Sequence, residues 1–103
     1  MTPVRWLDRW LARYGEAFEY QSNEHMGLFQ PAPADLIRMF YSFPEQDLLV
    51  RPLFALFFKA SPVIEEGQTI AWRGANYTAL KQYEVRSRDV PIYQAVLLEP
   101  DKP

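Results

Sequence analysis

The chain reads as a mostly β protein with an N-terminal helix, a small antiparallel barrel or sandwich that ends in a β-meander. Three observations predict this class. Residues 3–14 carry a helical period between a proline and a glycine. After Gly15 the apolar residues alternate instead, and the stretch from Ser61 to Glu99 divides into short strands separated by turn residues. At 103 residues the chain is expected to form one domain, residues 1–103, whose core buries roughly two-thirds of the surface the unfolded chain exposes. Within it the helix is expected over 3–14, the barrel over 16–99 and a flexible tail over 100–103.

The opening helix follows from local chemistry. Thr2 can cap it, Pro3 suits the first helical position and Gly15 supplies a stop. At about 100° per residue, Val4, Leu7, Trp10, Leu11 and Tyr14 share one side, with Trp6 at its margin. Arg5, Arg9 and Arg13 line the other side. One reading packs the helix on a sheet and leaves the arginines in water. The other assigns Arg5, Trp6, Arg9, Trp10 and Arg13 to a subunit interface, because Arg and Trp are common at binding hot spots.

Phe18 and Tyr20 alternate with Glu19 and Gln21, which predicts a half-buried strand over 16–21. Ser22, Asn23, Gly27, Pro31 and Pro33 then predict an extended loop over 22–34. That loop carries His25, Met26, Leu28 and Phe29, which either pack back on the core or are offered to a partner or channel. Leu36 to Phe43 is apolar on both faces and reads as a second strand ended by Pro44. A turn through Glu45–Asp47 leads to Leu48–Val50, and Pro52 opens a third strand over 53–59, with a helix over 53–60 as the alternative for so short an apolar run.

Ser61 and Pro62 break the chain, and Glu65, Glu66 and Gly67 form a turn into a strand over 68–73. Gly74, Ala75 and Asn76 are expected to reverse the chain into a strand over 77–84. A turn over 86–89 then delivers Pro91 to the start of a last strand, 92–99, where proline is tolerated.

Composition narrows the function classes. Apolar residues make up 49% and charged residues 23%, as in a globular protein. The aromatic content of 16% is high for one modest core, so the surplus either fills an aromatic-rich interior or covers an interface. With no cysteine, neither a disulfide framework nor a thiolate metal site can form, and host cytoplasm is the expected compartment. Neither a signal peptide nor a membrane span is expected, since Arg5, Asp8, Arg9 and Arg13 interrupt the start and Arg51 and Pro52 break the densest apolar run. A net charge of −2 gives no general attraction to nucleic acid or anionic lipid.

Catalytic constellations are hard to build. His25 is the only histidine, so no site has two imidazole ligands, and no serine sits in a nucleophile elbow. Glu65 and Glu66 are adjacent and diverge, and the four glycines are scattered rather than gathered in a phosphate loop. The expectation is a non-enzyme without cofactor or metal. An oligonucleotide-binding barrel would need an exposed platform, for which Trp72, Arg73, Tyr77, Lys81 and Tyr83 are the candidates.

The stretch EEGQTIAWRGANYTALKQYEVRSRDVPIYQAVLLE, Glu65 to Glu99, resembles the carboxyl-terminal hairpin and last strand of tailed-bacteriophage head-tail connector proteins of the stopper (head completion) type. The matching residues are Gly67, Ile70, Trp72, Gly74, Tyr77, Leu80, Tyr93, Ala95 and Leu97, about a third of the chain by span. The resemblance implies a virion structural protein that self-associates into a ring between portal or adaptor and tail proteins and helps retain packaged DNA, with non-specific DNA contact as a further consequence and no membrane partner. It carries no catalytic residues, and its channel-closing loop would fall on residues 22–34 or, next, 44–51. Such proteins do not typically begin with a Trp-rich amphipathic helix. A small protein-binding module, acting as inhibitor or adaptor of a host factor, is the alternative from another class.

Overall fold

The structure, a computed structural model, describes residues 5–46, 49 and 52–101. Its elements in order are α1 (Arg5–Tyr14), β1 (Glu16–Tyr20), β2 (Asn23–Pro31), α2 (Ala34–Phe40), α3 (Phe43–Gln46), β3 (Phe54–Lys59), β4 (Thr69–Trp72), β5 (Ala75–Ser87) and β6 (Val90–Pro100). The strands form a closed antiparallel barrel in the order β1-β2-β3-β6-β5-β4. The mostly β class, the N-terminal helix and the closing meander all match the sequence expectation. The Thr2 cap, Pro3 and Val4, and Asp47, Leu48, Val50 and Arg51 of the connection into the third predicted strand, lie outside the described residues, while Glu45 and Gln46, expected in a turn, belong to α3.

Two three-stranded meanders, β1-β2-β3 and β4-β5-β6, build the barrel. They join where β3 pairs with β6, and again where Glu19 and Tyr20 of β1 pair with Ala71 and Ile70 of β4. Three hairpins use two-residue turns, Gln21–Ser22, Arg73–Gly74 and Arg88–Asp89, and all six residues have positive φ. That geometry matches the twist of the flanking strands, which is why such turns connect hairpins tightly. The second reversal therefore lies one residue earlier than expected, and Ala75 and Asn76 belong to β5.

Two elements correct the sequence reading. Residues 22–34 are not a long loop, because most of them form β2, paired with β1 on one side and β3 on the other. Gly27 is compatible with the strand because the side chains of Phe18 and Leu56 occupy the space where its Cβ would stand. Pro31 is tolerated as the last paired residue, opposite Phe54. Leu36–Phe43 is not a strand either. Pro33, extended at φ −64°, stands at the N-cap of α2, Asp35 lies in its first turn and forms an ion pair with Arg38. Ile37 of α2 packs with Leu53 and Leu97 on the outside of the barrel, joined by the half-buried Leu36, Phe40, Tyr41 and Leu80.

The barrel interior is filled by Phe18, Tyr20, Leu56, Phe58, Ile64, Ile70, Trp72, Ala79, Val96 and Leu98. Ile64 comes from the connection between β3 and β4, and the fully buried Gln94 holds that connection in place. Gln94 Nε2 donates to the carbonyls of Lys59 (2.9 Å) and Pro62 (2.7 Å), while its Oε1 accepts from the Ile64 N–H (3.0 Å) and Gln82 Nε2 (3.2 Å). Every donor of this amide is used, as burial in an apolar interior requires. Tyr20 adds a bond from its hydroxyl to the Val63 carbonyl at 3.2 Å.

β6 runs through Pro100, and Asp101 is tied down by its N–H to the Asn76 carbonyl and by the Thr78 hydroxyl, so the tail expected from residue 100 is ordered at least to Asp101. Beyond Val85 of β5 and Tyr93 of β6, the two strands pair only with each other and form a short two-stranded arm. Arg86 braces its tip, donating to the Glu84 carboxylate and to the Asp89 carbonyl.

Candidate protein-interaction surface

α1 is amphipathic in sequence but packs through a narrow line. It lies chiefly on β2, and Leu11 is its buried residue among those whose side chains are described. Trp10 and Tyr14, expected on the packed side, remain 51% and 54% exposed. Contact with a single strand covers a strip about one side chain wide, so an apolar face broader than that strip stays in water. The two rings lie against each other with centroids 5.2 Å apart, and the Arg13 guanidinium sits 5.5 Å from the Tyr14 ring. Arg9 and Arg13 are exposed and form no ion pair with any described residue. Arg9, Trp10, Arg13 and Tyr14 line one continuous shallow concavity. Arg5 and Trp6 stand in the first turn of the same helix, and their side chains lie outside the described residues.

The structure separates the second group of sequence candidates. His25, Met26, Leu28 and Phe29 are on β2, not in a loop, and successive side chains of a strand point to opposite faces. His25 turns inward at one end of the barrel, with its ring 5.6 Å from Phe18 and 5.3 Å from Phe58. Phe29 is stacked on Trp72 at 4.0 Å. Met26 is exposed and, with Leu11, Ala12, Glu24, His25, Phe58 and Lys59, lines a hollow of about 380 Å³ beneath α1. The helix and part of the expected loop are thus brought together, which the sequence did not indicate.

Cross-strand register places Glu19 directly opposite Glu24, both exposed. Neither forms an ion pair with a described residue, whereas Glu16, at the start of β1, is held at 2.7 Å by Arg73. Like charges facing each other across an antiparallel pair are destabilising. The rung is not legible in the sequence, because Asn23, Gly27 and Pro31 predict a loop where the partner strand stands.

The platform considered for nucleic-acid stacking is dismantled. Trp72 is 3% exposed, packed by Phe29, Phe54 and Tyr77, and its indole Nε1 has no hydrogen-bond partner. Tyr83 packs on Phe40 and Lys81 lies over the Tyr41 ring. Partial burial raises the Tyr83 phenol above its ordinary value. For Tyr41 burial acts first in the same direction, followed by the charges of Glu99, Glu66 and Glu45. No group of three or more His, Asp or Glu that could hold a metal occurs among the described residues, and no described helix is long and apolar enough to cross a membrane.

No family model matches the chain, and no curated protein or solved structure is found similar to it.

Proposed function

We propose that this chain is a non-enzymatic structural protein of a tailed-phage head-tail connector, stopper-like, acting as a ring between portal or adaptor and tail and helping retain DNA. The observation that carries the reading is the exposed Arg9, Trp10, Arg13 and Tyr14 face of α1. Two half-exposed aromatic rings flanked by guanidinium groups that have no carboxylate partner among the described residues are the composition of a binding hot spot rather than of an ordinary solvated helix. The barrel interior also supports it, since Ile64 and the aromatic cluster fill the space in which a barrel would enclose a small ligand. The resemblance over Glu65–Glu99 falls on β4, β5 and β6, one intact meander.

The test is assembly. Native mass spectrometry and negative-stain microscopy are expected to show a large multiple of 12.1 kDa with a central opening, for the chain alone or once portal and adaptor proteins are added. A species that stays at 12.1 kDa in the presence of portal, adaptor and tail proteins overturns the connector reading. If that monomer instead captures a single host protein, the binding-module alternative takes its place.

A further inference from the structure

We infer that the basic-aromatic face of α1 in one copy docks on the Glu19–Glu24 rung of a second copy, head to tail. This rests on the self-association reading above and names its two surfaces. The occupant follows from charge. One chain carries two arginines with no carboxylate and, elsewhere, two facing carboxylates with no cation among the described residues. A second copy supplies to each surface what it lacks.

The placement of the two surfaces decides the symmetry. With Leu11 directed at the barrel, a step of about 100° per residue puts Ala12 on one flank of α1 and Trp10 and Tyr14 on the other. Ala12 shares its hollow with Glu24, so the acidic rung lies toward the Ala12 flank. Glu24 and Glu19 also share a second concavity, with Ala17, Ala71 and Gly74, on the outer side of the β1–β4 seam. The basic-aromatic face and the acidic rung therefore look in different directions. One copy cannot join its own two surfaces, and a two-fold contact cannot join both pairs at once. A heterologous contact can, and successive copies then form a ring if the rotation closes or a filament if it does not.

The division of labour within the contact follows from the residue types. Exposed ion pairs contribute little to affinity, so covering Trp10 and Tyr14 drives association. The Arg–Glu pairs set register and exclude the reversed docking.

Charge exchange tests this directly. The variants R9E/R13E and E19R/E24R are each expected to raise the dissociation constant of self-association about tenfold or more, with circular dichroism spectra unchanged. Mixed one to one, they are expected to assemble in strict alternation, because each contact between unlike variants again joins opposite charges while each contact between like variants does not. The chain carrying all four exchanges is expected to recover the wild-type assembly. A wild-type assembly unaffected by both double variants, or a mixture that stays monomeric, overturns this pairing while leaving the connector reading intact. A wild-type chain that is monomeric alone also overturns it, and assembly on added portal then decides the connector reading separately.

Discussion

Trp72 with Arg73 and Tyr14 with Arg13 are the same pairing of residue types placed in two environments. In the barrel, Arg73 lies 4.7 Å from the Trp72 ring and its charge is met by Glu16, while Phe29, Phe54 and Tyr77 close around the indole. On α1, Arg13 lies over Tyr14 beside Trp10, and neither a carboxylate nor further rings complete the cluster among the described residues. The first cluster has its partners within the chain and serves stability. The second lacks them, and the surface it leaves is what a neighbouring polypeptide can cover.

The sharpest way to break this comparison is to truncate one aromatic from each cluster. Trp72→Ala is expected to lower the unfolding free energy by about 3–5 kcal/mol in urea titration, as for other buried aromatics. Trp10→Ala is expected to change it by less than about 0.5 kcal/mol while weakening assembly. Equal stability losses would show that α1 belongs to the core. Next in size is Gln94→Leu, which leaves the Ile64 N–H and the Lys59 and Pro62 carbonyls without partners. At about 1 kcal/mol or more for each stranded group, a loss of about 3 kcal/mol is expected from the same titration. Gly27→Ala follows. Its Cβ would stand 2.4 Å from Leu56 Cδ1 and 2.8 Å from Phe18 Cε1, and the overpacking is expected to cost about 1–3 kcal/mol in thermal unfolding.

The smallest effect is a titration on the outer layer. The Ser42 N–H and hydroxyl both donate to Glu45 Oε1, at 3.0 and 2.8 Å, and these bonds hold the Glu45 carboxyl below its ordinary value of 4.5. The folded state thus favours the carboxylate. Its contribution is present above the unfolded value and is lost as pH falls through the lower folded one. The Ser42 amide resonance is expected to titrate with a midpoint below 4.5, and Glu45→Gln is expected to abolish that titration.

Legibility followed the range of the interactions. The meander over 69–100 was readable because alternation and turn residues are local properties of the strands. β2 was not, since Asn23, Gly27 and Pro31 are turn formers by propensity, and only the rings and methyls packed over Gly27 make a strand of them. Gln21–Ser22 also lacks the Asn-Gly or Asp-Gly pattern that announces a two-residue hairpin turn. For residues 36–43 the apolar run had no decisive period. Its helical form is settled by the barrel surface of Leu53 and Leu97, on which Ile37 packs. Of the candidate surface, Arg9, Trp10 and Arg13 were identified from helical spacing, whereas the exposure of Tyr14 and the Glu19–Glu24 rung depend on which strands are neighbours.

The sequence by itself determined that the chain is a mostly β protein led by an amphipathic helix, because side-chain period and turn chemistry act over a few residues. Tertiary structure decided which aromatics are inside and which remain outside. That choice depends on how much surface one strand can offer to a helix and on which strands meet when the barrel closes, and both are set by residues far apart in the chain.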